Sequence, residues 1–247
     1  MADAYSPHLV FYLGCVAFVL ITIFSQTFFK AEPIQTPSAT ASKFSLVSLL
    51  NVSSSVKRVS LLAGIGMIAE TINLMGMSLY VYAIGGGYRD VGLIAGLIVA
   101  AGLVCQLLAP TLQEKLGSRG IILLVYGTNA VFLLLLFWRR TLAAAYTLFP
   151  IIGGLFTLTN LTWLALAQDA APEGQMGAAT GFYRGTLDLT NVFYYLAFGA
   201  LSARFTVATL LAGAAFILLG LVAAAHRLLA VPSPQRIISV GSKIERL

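Results

Sequence analysis

The stretch from Gln168 to Asn191 reads QDAAPEGQMGAATGFYRGTLDLTN, and its reading decides how the chain is built. The first seven residues are a short polar break between two long apolar segments. The second of these segments carries Arg184 and Asp188, four residues apart and so one turn apart on a helix face. Steps of three and four extend that face through Thr180, Arg184, Asp188, Asn191 and Tyr195. Each charge inside a membrane-spanning helix costs about 2.5–3.5 kcal/mol, so such residues face a bundle interior or a watery cavity. The stripe is therefore expected to line a pathway.

The two flanking segments are part of a pattern that fills the chain. Of 247 residues, 59% are hydrophobic and only 10% charged, whereas a soluble domain carries about 25% charged. Seven runs, at about 8–29, 59–84, 90–114, 120–138, 141–167, 175–203 and 205–229, are each long enough to cross a bilayer as a helix. The runs are continuous rather than alternating, which favours helices over a barrel. The expected fold is an all-α integral membrane protein with seven transmembrane helices. Its parts are a first helix within 1–29, a cytoplasmic linker at 30–58, a six-helix bundle at 59–229 and a cytoplasmic tail at 230–247. Residues 44–58 read either as an amphipathic helix at the interface or as a solvated lead-in.

Basic residues orient the bundle. Lys30, Lys43, Lys57, Arg58, Lys115, Arg119, Arg227, Arg236, Lys243 and Arg246 fall on one side, and only Arg89, Arg139, Arg140 and Arg204 on the other. The first side is cytoplasmic by the positive-inside rule, which puts the N-terminus outside, the C-terminus inside and the protein in the plasma (inner) membrane. Scattered in this way, the formal charge of +6 gives no nucleic-acid surface. Cys15 and Cys105 lie in apolar runs and read as packing residues.

Polar residues within the other spans are further candidates. Glu70, Asn73, Met77 and Tyr80 fall on one face of the second span. An intramembrane glutamate is by default a functional group. Asn160 and Trp163 share a face of the fifth span and would either touch a solute or bond a neighbouring helix. Pro150, Gly153 and Gly154 precede them and would allow a kink. No enzyme, metal or cofactor site is expected: there is no His cluster, no phosphate loop with a lysine and no Ser/His/Asp set.

The loop from Pro110 to Gly120 resembles the signature loop of the major facilitator superfamily, Gly-x-Leu-Ala-Asp-Arg-x-Gly-Arg-Arg. Leu112, Lys115, Gly117 and Arg119 fit, while Pro110, Glu114 and Ser118 replace a glycine, the aspartate and a basic residue. Gln168-Asp169, Pro172, Gly177, Ala179, Thr180 and Tyr183 resemble the bacterial sugar efflux branch, as does Ser78-Leu79-Tyr80. The resemblance implies that spans 2–7 form one half-bundle and that span 1 matches the sixth helix of a twelve-helix transporter. It also implies a secondary transporter, or half of one, moving a small polar solute such as a sugar by alternating access. The facing wall would come from a separate N-terminal half or a second copy. Proton coupling would run through Glu70 or Asp188, since low-dielectric surroundings favour a carboxyl group's neutral, proton-carrying form. Arg184 precedes Asp188, the weaker order for a helix-surface pair, so Arg184 is expected to reach another helix, with Glu70 a candidate partner. The alternative, from a different class, is a non-transporting membrane scaffold or assembly factor whose polar residues bond helices together.

Overall fold

The computed structural model describes residues 52–172 and 174–228, together with Val16. Apart from Val16, these belong to the unit Ser45–Leu247. The first expected span, most of the linker and the tail lie outside the described residues.

Helix α1 (Ser54–Ala83) starts five residues earlier than the apolar run does. Ser53 caps it, its hydroxyl accepting the Val56 N–H at 3.2 Å and donating to the Ala170 carbonyl at 3.1 Å. Val56 is fully buried and joins Val52 and Ala179 in a small apolar cluster. Residues 54–58, read from the sequence as the end of the linker, are the first residues of this helix. Of the expected interfacial helix, 44–51 lies outside the described residues. Further along, Ile72–Gly76 forms a π turn, in which the Met77 N–H returns five residues to the Ile72 carbonyl. Such a turn takes in an extra residue and rotates the helix beyond it relative to the helix before it.

Helix α2 (Tyr88–Trp138) has 51 residues. Straight, it would measure about 77 Å, well over twice the thickness of a hydrocarbon core. It is bent at Gly117, whose φ of 64° and ψ of 169° suit only glycine. Cys105, Ala109 and Leu112 before the bend pack against the cluster of Ile121, Val125 and Leu158. In a straight helix Cys105 and Val125 would be about 30 Å apart, beyond the reach of one shared cluster. The two arms therefore lie back along each other.

Helix α3 (Leu142–Asp169) runs unbroken through Pro150. Its glycines admit a neighbour: a Cβ on Gly154 would stand 3.1 Å from the Ala101 backbone of α2. Helices α4 (Met176–Ser202) and α5 (Val207–Leu228) complete the order. The described residues thus hold five helices in place of six separate spans, and six rods when the arms of α2 are counted apart. Four of the five (α1, α2, α3 and α5) are long and apolar enough to cross a membrane. The exception is α4, the expected span 175–203. It has 27 residues, but its glycines, threonines and two charges dilute its hydropathy.

Candidate functional site

The buried stripe of α4 is Ala179, Tyr183, Leu187 and Phe198, at helical spacing. At 100° per residue, Thr180, Asn191, Arg184, Tyr195 and Asp188 succeed one another around the flank beside that stripe. Their burial differs: Thr180, Asn191 and Tyr195 are half-buried against the bundle, while Arg184 and Asp188 are exposed.

Contact with the bundle is polar. Asn191 Nδ2 donates to Glu70 Oε2 of α1 at 3.2 Å, and the hydroxyl of Tyr194 donates to the Ile65 carbonyl at 3.1 Å. Tyr183 donates to Asn160 Oδ1 of α3 at 3.3 Å, and Gln168 Nε2 donates to Thr180 Oγ1 at 3.3 Å. Glu70 is half-buried, so its carboxylate sits at the seam of α1 and α4 with one anchored oxygen. The expected reach of Arg184 to Glu70 is corrected here. Asn191 holds the carboxylate, and the Arg184 guanidinium lies over the neighbouring Tyr183 ring, 5.8 Å from its centre. Among the described residues Arg184 and Asp188 make no salt bridge with each other.

Other candidates lie deeper. Tyr80 is buried, donates to the Leu136 carbonyl at 2.7 Å and meets the Phe149 ring edge-on. It does not continue the face of Glu70, because the π turn intervenes. Trp163 is also buried, its Nε1–H donating to the Tyr126 hydroxyl at 2.9 Å. The Tyr126 hydroxyl fits because position 66 is glycine; a Cβ there would collide with it. Asn73 and Asn129 are buried, and neither side-chain polar atom of either has a partner among the described residues. Tyr183 and Tyr194 stand outside the stripe drawn from the sequence, although they are eleven apart, three turns on one face.

The signature residues sit at the bend of α2. Pro110, Glu114 and Lys115 are on its first arm, Gly117 is the bend and Arg119 opens the second arm. Gln113 Nε2 donates to Ser118 Oγ at 2.6 Å across the bend, and Arg119 donates to the His226 carbonyl of α5 at 2.9 Å. This loop fastens helix ends and holds no reacting group among the described residues. A cavity of about 470 Å³ opens between α1, α4 and α5, but Ile68, Phe193, Phe198, Leu210 and Ile217 make it apolar, away from the polar flank. It suits hydrocarbon, and the polar flank is the better candidate for a solute.

A helical bundle with four helices long and apolar enough to cross a membrane, and with a polar flank whose two charges are unpaired among the described residues, defines a multi-pass membrane protein. Residues 1–194 match the Major Facilitator Superfamily, and the chain belongs to that family. No curated protein and no solved structure matches it.

Proposed function

We propose that this chain forms one wall of a secondary transporter that moves a small polar solute, a sugar by the resemblance of residues 168–183 and 78–80, by alternating access. The carrying observation is the pairing of Glu70 with Asn191 at the α1–α4 seam, on the flank where Arg184 and Asp188 stand exposed. Hydroxyls of a sugar are matched by the amide of Asn191, the carboxylates and the Tyr195 phenol, which together offer donors and acceptors. Glu70 and Asp188 are the candidate proton carriers, and the exposed Arg184 offers an anionic group or hydroxyl of the solute its hydrogen-bond donors. The bend at Gly117 and the C-terminus face the cytoplasm in this reading, in line with the ten basic residues on that side.

The test is flux of radiolabelled mono- and disaccharides into liposomes under an imposed pH gradient. Glu70→Gln or Asp188→Asn should abolish gradient-driven uptake and leave the chain folded. Uptake that is unaltered in both variants removes the proton role. The scaffold reading draws on a specific observation too, since the Asn160–Tyr183 and Gln168–Thr180 bonds join helices. It predicts no rise in thermal stability with any sugar, where the transporter reading predicts one.

A further inference from the structure

The apolar cavity between α1, α4 and α5 has a definite length and two definite ends. It runs along α4 from Phe193 to Leu201 and along α5 from Thr209 to Ile217, about 12 Å on each helix. At one end α1 and α4 close it, since a Cβ on Gly64 would stand 2.9 Å from Thr190 Oγ1. At the other it reaches Phe205, in the loop between α4 and α5. That loop is at the far end of the bundle from the Gly117 bend, because Arg119 beside the bend bonds the His226 carbonyl in the last turn of α5. A hydrocarbon core is about 30 Å thick, so the cavity has the depth of a single leaflet. A spanning helix needs a groove along the whole core, whereas a lipid chain hanging from one surface needs half of it.

The lining selects an alkyl chain, and the mouth selects a phosphate. Only three lining side chains carry a polar group, and each has its partner elsewhere. Thr71 donates to the Met67 carbonyl at 3.4 Å, Tyr194 to the Ile65 carbonyl at 3.1 Å, and the Thr209 hydroxyl pairs with that of Thr206 at 2.8 Å. Nothing is left over for water or a sugar, and an apolar cavity stays dry and takes apolar ligands. Phe193 and Phe205 are exposed at its rim. Arg204, also exposed, lies between the lining residues Leu201 and Phe205 and is the only Asp, Glu, Lys or Arg between Asp188 and Arg227. Its backbone N–H bonds the Leu201 carbonyl at 2.9 Å, and its guanidinium has no partner among the described residues. We propose that one acyl chain of an anionic phospholipid fills this cavity, with its phosphate held by Arg204. The positive end of α5, which starts at Val207, adds to the attraction. A choline headgroup would bring a second cation beside Arg204, so an anionic headgroup fits better. The site is apart from the polar flank and does not require that the chain carry a sugar.

The test is photolabelling of the full chain in phosphatidylcholine liposomes that hold a trace of phosphatidylglycerol with a diazirine midway along one acyl chain. Light expels dinitrogen, the carbene left behind inserts into the nearest C–H bond, and mass spectrometry locates the adduct. Leu210, Gly213 and Ile217 should be labelled at least about tenfold more than Leu135, an exposed residue of α2. Gly213 lines the cavity and nothing stands within 4 Å of where its Cβ would be, so Gly213→Phe fills the space without a clash. That variant should lose the excess labelling while its helical circular dichroism is unchanged. A phosphatidylcholine probe with the same chain should label the wild type about fivefold less than the phosphatidylglycerol probe. Arg204→Gln should erase that difference and leave the cavity labelled. Equal labelling of the cavity and Leu135 in the wild type overturns the proposal, as it would if residues 8–29 or another protein filled the space. A folded Gly213→Phe that keeps the excess also overturns it. Comparison of the two probes on the wild type needs no variant, and equal labelling by both overturns it as well.

Discussion

The seam between α2 and α3 and the outer flank of α4 are made of the same kinds of residue. The seam has Gly153, Gly154, Thr157, Asn129, Tyr126 and Trp163, and the flank has Gly177, Gly185, Thr180, Asn191 and Tyr195. At the seam the small residues have neighbours: Ile98 presses on Gly153, Ala101 on Gly154, and Tyr126 bonds Trp163. On the flank Gly177 and Gly185 stand in open space, and two charges are added. Small and polar residues therefore mark where helices can come together, and only the contacts tell which of these places is already filled. The charges separate the two cases. The buried part of the seam has none: its one carboxylate, Asp90, lies in the first turn of α2, where the Tyr146 hydroxyl of α3 donates to it.

The difference can be broken most severely at Trp163. Trp163→Ala removes a fully buried indole and leaves the Tyr126 hydroxyl without its donor, a loss of about 3–5 kcal/mol. The expected result is a markedly lower melting temperature in detergent. A loss smaller than that of an ordinary surface change would show the seam to be loose. Next in size is a matched pair of glycine substitutions. Gly154→Leu drives a side chain into the Ala101 backbone and should cost about 1–3 kcal/mol. Gly185→Leu meets nothing within reach of its Cβ and replaces a poor helix former with a good one, so in detergent it should hold or raise stability by up to about 1 kcal/mol. Opposite signs from one chemical change are the sharpest form of the comparison. Gly117→Ala belongs with the smaller losses, about 1–3 kcal/mol, from forcing a side chain into a φ of 64°.

How much of this is legible in the sequence depends on which property each residue expresses. The hairpin after residue 168 and the turn at Gly117 are plain, because polar and glycine-rich breaks in apolar runs have few other meanings. The start of α1 is hidden, since Ser53 to Arg58 look solvated although Ser53 is a capping residue and Val56 is buried. Nothing in Ile72–Gly76 announces a π turn, so a regular helix puts Tyr80 on the face of Glu70. Tyr80 and Trp163 draw the same expectation as Glu70 because all three are polar groups in apolar runs. An aromatic ring with one hydroxyl or N–H satisfies itself with a single bond inside the bundle, as both do here. A carboxylate has several acceptor positions to fill and stays at a seam. Which flank of α4 faces the bundle is written in Ala179, Tyr183 and Leu187, an apolar stripe that the charges beside it obscure.

The smallest thermal effect, and the one that carries most about function, is expected at the exposed charges. Asp188→Asn and Arg184→Gln touch no described contact except the stacking of Arg184 on Tyr183. Each should shift the melting temperature of the detergent-solubilised protein by no more than about 2 °C. A substitution at the seam of α1 and α4, Asn191→Leu, strips Glu70 of its hydrogen bond and should shift it further. Detergent matters to the design, because a micelle lets water reach the flank and removes the burden that a bilayer imposes on a free charge. In liposomes the charged wild type should instead depend on whatever covers that flank. A gap between wild type and Asp188→Asn that opens in lipid and closes in detergent locates the role of the pair on the open flank of α4 rather than inside the bundle. An equal, large loss in both media would place Asp188 inside the bundle fold, although its exposed side of α4 has no described neighbour to lose.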